Sequence, residues 1–426
     1  MLSGGFPATR RGGCEGLFQL PSLMPPRRFS ALVLLGFASG LPLYLTGATL
    51  KAWLTKGGVD LVAIGAFSLV TLPYALKFLW APLLDRYVPP FLGRRRGWLL
   101  ITQGALVACL AVLAFCDPRV SLGRIAFLAT AVAFTSASQD IATDAWRAEV
   151  LPSSYLGLGN AIHIGAYRVA MLVSGAMALI LADHVGWKAM YLSMAGLMVL
   201  SVIGTLLAES TDGAAQPPRT LAEAVVGPWR NFLARPGFGE ILAFCVLYKI
   251  GDQLADSMTM PFLIRGMGFS LTVIGATTKT VGIAFIILGG LVGGWILLKL
   301  SLRRSLWLFG VVQAGSILAF WALSRLGPKL GLLVGALALE NLAFGMGGAA
   351  FAAFLMGQCD KRFTGTQYAL LTSLMALSRS FLAAPMGELA EHLGWSGYFL
   401  FCTVAAIPGL LLLLRWDRWG VPEPTL

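Results

Sequence analysis

Of the chain's 426 residues, 57% are apolar and only 12% are charged, and the mean hydropathy is +0.77. A soluble domain carries roughly 25% charged residues, so an ordinary soluble enzyme or binding module is excluded and lipid is the natural solvent. The formal charge of +12 is spread over short segments between apolar runs, which reads as membrane topology and gives no reason to expect a nucleic-acid partner.

Residues 1–28 hold Arg10, Arg11, Arg27 and Arg28 among Gly and Pro, with no apolar core before Phe29. The expectation is a disordered cytosolic tail and no cleavable signal, with Met24 an alternative start. A bilayer core asks for about 20 mainly apolar residues per helix. Such runs occur near 29–53, 61–84, 97–115, 122–145, 158–182, 188–208, 239–264, 271–298, 304–324, 330–357, 366–389 and 396–415. The expected fold is therefore all-α and polytopic, with twelve spans. A polar segment, 209–238, carries Pro217, Pro218, Pro228 and Pro236 and reads as a cytosolic linker. It separates six-helix bundles at 29–208 and 239–415, and a cytosolic tail follows at 416–426. Lys and Arg are more than twice as frequent in the loops on the side of the termini as on the other side. That bias predicts that both termini are cytosolic.

The halves echo each other at an offset near 210: Ile64-Gly65-Ala66 with Ile274-Gly275-Ala276, Arg94 with Arg304, Gly40 with Gly251, and Arg168 with Arg379. Two parallel six-helix repeats would place a solute site between them.

Between spans 2 and 3 stand Asp85-Arg86 and Gly93-Arg94-Arg95-Arg96. An acidic–basic pair followed by Gly and a basic run can make and break contacts at helix ends, which suits a gating loop. The alternative is plain positive-inside charge. The corresponding Lys299–Arg304 segment lacks the acidic partner, so the halves are expected to be unequal.

Ionised groups inside spans are costly and face a cavity or a partner. Span 4 carries Asp140 and Asp144 on one face, either a proton-carrying pair or a structural bridge to Arg147, Arg168 or Lys77. Span 7 carries Lys249, Asp252 and Asp256 on one stripe near mid-membrane, either self-paired along the helix or a cavity-facing solute or proton site. Glu340 in span 10 is a further buried acid. Arg168 and Arg379, expected near the cytosolic ends of spans 5 and 11, form a cationic set with Lys279 in the outer half of span 8. This set would either grip carboxylates and phosphates or bridge to the acids. His163 is a minor titratable candidate. Cys14, Cys109, Cys116, Cys245, Cys359 and Cys402 are scattered, and His163, His184 and His392 are far apart. Neither a disulfide framework nor a metal site is expected. Walker A, GxSxG and HExxH motifs are absent from the sequence, so the expectation is a gradient-driven or passive carrier, not an enzyme, with no cofactor.

The stretch KFLWAPLLDRYVPPFLGRRRGWLL (77–100) resembles the AmpG-type muropeptide permeases, a branch of the major facilitator superfamily that is also similar to acetyl-CoA transporters. So do SASQDIATDAWRAEVLP (136–152), YRVAMLVSGAMAL (167–179), LYKIGDQLADSMTMPFLIRGMGFS (247–270) and GTQYALLTS (365–373). The resemblance implies a bacterial inner-membrane carrier, and a monomer is expected. It would import N-acetylglucosaminyl-anhydro-N-acetylmuramyl peptides with protons for cell-wall recycling. Arg168, Arg379, Lys249 and Lys279 would suit the carboxylates of such a solute, and Tyr44 and Tyr248 its sugar faces. A different anionic solute, such as a CoA ester or a sugar phosphate, is the alternative.

Overall fold

The computed structural model describes residues 24–213, 216–383 and 385–419. The side chains of Lys279 and Arg379 lie outside what is described, as do most of the expected N-terminal tail and residues 420–426. Among the described residues every regular element is helical.

Eight stretches are long and apolar enough to cross a membrane without interruption. That number falls short of twelve for identifiable reasons. The stretch Ser153–Leu207 is 55 residues long and contains two crossings. Its dihedral break is Gly186, at φ 83°, a conformation that glycine adopts without strain. Gly394, at φ 65°, separates two crossings in the same way near the C-terminus. Segment 61–86 alternates short α and 3-10 pieces, with Pro73 and Pro82 removing backbone donors. Residues 238–266 are interrupted at Tyr248–Lys249.

We number the crossings spans 1 to 12: 26–56, 61–86, 93–113, 122–150, 156–185, 187–207, 238–266, 271–296, 302–326, 330–357, 364–393 and 395–418. Contacts between their ends show that they alternate in direction. On one side Arg28 pairs with Glu209, Arg95 with Glu149, Arg303 with Asp417 and Arg415 with Glu240. On the other, Lys56 lies 4.0 Å from Asp183, Trp53 stacks on Trp187, and Trp395 packs on Phe262. The first side is called the basic side below. The segment between the halves holds a helix, Leu221–Leu233, whose Thr220 hydroxyl accepts from the Glu223 N–H.

Within a half, glycine permits backbones to touch. A Cβ on Gly36 would stand 2.4 Å from the His163 carbonyl oxygen, and one on Gly40 would stand 2.3 Å from that of Tyr167, so span 1 lies directly on span 5. In the other half Gly289 meets the Leu342 carbonyl of span 10 in the same manner. Small residues at such crossings are the main device for packing helices in lipid.

The internal repeat is stronger than the sequence reading found. His184-Val185-Gly186-Trp187 and His392-Leu393-Gly394-Trp395 occupy the same turn of each half. Just beyond each turn, a fully buried tyrosine reaches the first span of its half: Tyr191 to the Leu45 carbonyl, Tyr398 to that of Leu254. Two of the expected matches diverge. Gly40 packs on span 5, but Gly251 packs on Cys402 and Ala406 of span 12. Arg94 is buried, whereas Arg304 is exposed.

Buried apolar side chains form three clusters. One joins both halves at the basic side, from Trp146 and Leu84 to Phe244, Phe351 and Trp416. The other two lie toward the opposite side and each belongs to one half, around Leu110 and Tyr191 or around Phe320 and Phe399. The halves are therefore fused at the basic side and separate beyond it.

Gly36→Ala should lower stability by about 1–3 kcal/mol through overpacking against span 5. Gly104→Ala, where a Cβ meets open space, should be neutral. Thermal unfolding in detergent measures both, and equal midpoints would refute the close-packing account.

Candidate functional site: a basic-side clamp and a central cavity

Span 2 ends in Asp85, whose side chain is fully buried. It reaches across to the other half and caps the first turn of span 11. The Gly365 N–H donates to its Oδ1 at 3.2 Å, and the Thr366 N–H and hydroxyl each donate to Oδ2 at 2.7 Å. A carboxylate there meets both orphan N–H groups and the positive end of the helix dipole. Arg95 stands 2.8 Å from the same carboxylate and also holds Glu149. Arg94 joins Glu149 and donates to the Lys361 and Arg362 carbonyls of the other half. Two cations thus meet two anions away from water. Around them Asn231 bonds Asp360, Arg235 bonds the Gln358 carbonyl, and Gln367 bonds Asn231.

Other residues of the expected gating loop do different work. Arg86 lies over the Tyr87 ring, and Arg96 donates to the Thr205 and Leu206 carbonyls of its own half. Gly93 has φ 75°, and Asp212 fills the space that a Cβ would occupy while accepting from the Arg94 N–H. Sequence reading missed Glu149, Asp212 and Thr366. For Thr366, only the fold places span 11 beside span 2.

Above the clamp lies a cavity of about 390 Å³ between the halves, lined by Asp140, Asp144, Arg147, His163, Tyr167, Arg168, Lys249 and Tyr368 among others. A second cavity of about 370 Å³ carries Asp252, Asp256, Glu340 and Asn341, and reaches Met260, which is 48% exposed. Arg168, Ile286 and Phe344 line both.

Arg168 corrects one expectation. It stands twelve residues into span 5, about 18 Å along the helix, at mid-depth where the cavities meet and not near a span end. Its Nε is buried without an acceptor. Lys249 pairs with Asp252 at 3.4 Å and lies over the Phe344 ring, and Asp252 also accepts from Gln313 at 2.6 Å. Asp144 pairs with Arg147 at 2.6 Å and Lys77 at 3.6 Å. The bridge reading thus describes Asp144, while Asp140 lies one turn deeper on the cavity wall.

The two tyrosines do not fit the sugar-binding expectation. Tyr248 is 5% exposed, donates to the Leu306 carbonyl and stacks on Phe351, so both its hydroxyl and its ring are used in the core. Tyr44 packs over Gly175 of span 5 and lines neither cavity. Cavity aromatics that the sequence did not single out are Tyr167, Tyr368 and Phe344. Lys279 and Arg379 fall outside the described side chains.

Asp85→Asn should leave Arg95 partly uncompensated and weaken the closed clamp by about 3–5 kcal/mol. Spin labels at positions 91 and 361, in a background without native cysteines, should then show a new longer distance. An unchanged distance distribution would refute the clamp.

The model of the family described as Major Facilitator Superfamily matches residues 32–383. An anhydromuropeptide permease of Escherichia coli K12 is 48% identical over 399 residues, which cover 93% of this chain and 80% of that one. A putative transporter, AmpG 1, of Rickettsia conorii is 32% identical over 91% of this chain and 97% of its own. Among solved structures, a bacterial homologue of the iron transporter ferroportin in an outward-facing state superposes with a TM-score of 0.67 at 14% identity. It covers 92% of this chain and 100% of that one. With its two six-span halves around a central cavity, this multi-pass membrane chain belongs to the Major Facilitator Superfamily.

Proposed function

We propose that this chain carries anhydromuropeptides across the bacterial inner membrane from periplasm to cytosol, by alternating access and together with protons. The observation that carries the reading is the 48% identity, over 93% of the chain, with a relative named anhydromuropeptide permease. The geometry is in keeping with it. Cavities of this size take ligands on the scale of a disaccharide, and Arg168 and Lys249 offer cations to an anionic solute on walls that are otherwise largely apolar.

Both termini are cytosolic in this reading, supported by the excess of Lys and Arg on the basic side. The clamp then closes the cytosolic face, and the acid-lined cavity opens toward the periplasm. Arg94, Arg95 and Asp85 have to part for solute release. Asp140, Asp144, Asp252, Asp256 and Glu340 are the proton-carrying candidates. They line the path, and a carboxylate that gains a proton no longer holds its cationic partner. Lys279 and Arg379 remain candidates for gripping the solute. One chain contains both halves and the whole cavity, so a monomer suffices. No catalytic step and no cofactor enter this cycle. Exposed apolar side chains such as Phe127, Leu330 and Leu414 form its lipid-facing belt.

Uptake of labelled anhydromuropeptide into vesicles, with and without an imposed pH gradient, tests the proposal. Accumulation should follow the gradient, and gradient-blind accumulation would reject symport. A carrier that takes up a CoA ester or a sugar phosphate in place of the muropeptide would reject the substrate. Asp140→Asn and Asp252→Asn should lose roughly 5–150-fold of gradient-driven accumulation, the range of ordinary coupling energies, while still eluting as folded protein. Wild-type rates in both would reject those two carboxylates as coupling groups.

A further inference from the structure

The helix Leu221–Leu233 between the halves has three faces. Successive residues turn by about 100°, which places Ala224, Pro228 and Phe232 together, and all three are buried against the rest of the chain. This inner face is anchored beside the clamp. The Pro228 carbonyl accepts from Gln367 at 3.3 Å, and Asn231 donates to Asp360 at 3.2 Å. A second face carries Leu221, Val225, Val226, Trp229 and Leu233, all of them exposed. The third holds Glu223 and the exposed Arg230. The three faces suit protein, an apolar medium and water in turn. An apolar strip with a tryptophan and a basic flank is the pattern of a helix lying in the plane of a lipid interface.

A cavity of about 220 Å³ borders the apolar face. Trp229 and Phe232 of the helix, Phe78 of span 2, Leu242 of span 7, and Leu374 and Leu377 of span 11 line it. Apart from the Ser373 hydroxyl, its side chains are aliphatic or aromatic. Leu377 stands thirteen residues into span 11, about 20 Å along that helix from its basic-side end, so the cavity reaches hydrocarbon depth. Leu377 itself, Phe381 one turn beyond it, and Leu79 next to Phe78 are exposed, which makes the cavity continuous with the lipid-facing surface. A soluble protein has no access at that depth, and a polar solute finds few partners on these walls. A hydrocarbon chain fits, because it gives apolar walls close dispersion contacts.

We propose that this helix is docked in the basic-side lipid leaflet and that one acyl chain of a phospholipid occupies the cavity beside it. Trp229 and its apolar neighbours sit among the acyl chains, and Arg230 faces the headgroups. The bound chain touches both halves, because Phe78 belongs to the first and Leu374 to the second. This lipid seat is independent of which solute is carried.

The test uses the intact protein in nanodiscs of phosphatidylcholine and phosphatidylglycerol. It is stripped of native cysteines and carries one nitroxide label, on Val226→Cys or on Ala234→Cys, an exposed position just past the helix on its polar side. Oxygen should reach the label at 226 in preference to a water-soluble nickel complex, and the order should reverse at 234. Equal nickel access at both positions would overturn docking in the leaflet. A label at 226 shielded from both reagents would overturn it in favour of a protein partner. Native mass spectrometry of detergent-exchanged protein tests the cavity. Leu374→Trp, whose ring fills it, should keep severalfold less of the last-retained phospholipid than wild type. Equal retention would overturn the acyl-chain seat. If Leu374→Trp fails to elute as folded protein, the milder Leu370→Phe, on the same wall, decides.

Discussion

An ionised group in hydrocarbon must find a counter-charge, a hydrogen-bonding partner or a watery cavity, and this constraint organises the molecule. Spans 4, 5, 7 and 10 carry Asp140, Asp144, Arg147, Arg168, Lys249, Asp252, Asp256 and Glu340, and these side chains line the seam between the halves. The arrangement costs less than exposing any one of them to acyl chains. It also creates a polar path through an otherwise apolar body.

The same constraint produces two different outcomes along that path. At the basic side, Asp85, Arg94, Arg95 and Glu149 satisfy one another across the two halves, and helix N–H groups complete the coordination of Asp85. A shared apolar cluster surrounds them. Nearer mid-depth, satisfaction is incomplete. Arg147 and Arg168 keep buried donors without acceptors, and the acids there face cavity space. Complete pairing holds the halves together, while incomplete pairing leaves room for a ligand or a proton. In the proposed transport cycle, an incompletely neutralised cavity has more to gain from an incoming solute than a fully paired one.

The halves are repeats in backbone and unequal in chemistry. His-x-Gly-Trp turns and buried tyrosines recur in both, yet the clamp exists once. Arg303 pairs with Asp417 at the edge of its own half, and Arg304 stays exposed.

Membrane residence, twelve crossings, two halves and the stretches resembling muropeptide permeases were all legible in the sequence. Hydropathy, proline breaks and loop charge are local signals that need no tertiary information. The charged residues inside spans were legible as a set, since any such residue must face inward. Their partners were not. Thr366 caps against Asp85, nearly three hundred residues away in sequence, and only the packing of span 11 on span 2 brings them together. Helical periodicity could not show that Tyr248 is absorbed into an aromatic core while Lys249 beside it faces the cavity, because adjacent residues differ by about 100° around the axis and only the neighbouring helices define inside. Arg147 was legible only as one of three possible bridge partners for Asp140 and Asp144. Only three-dimensional packing decided that it pairs with Asp144 through Nη2 while Nε and Nη1 are buried without an acceptor.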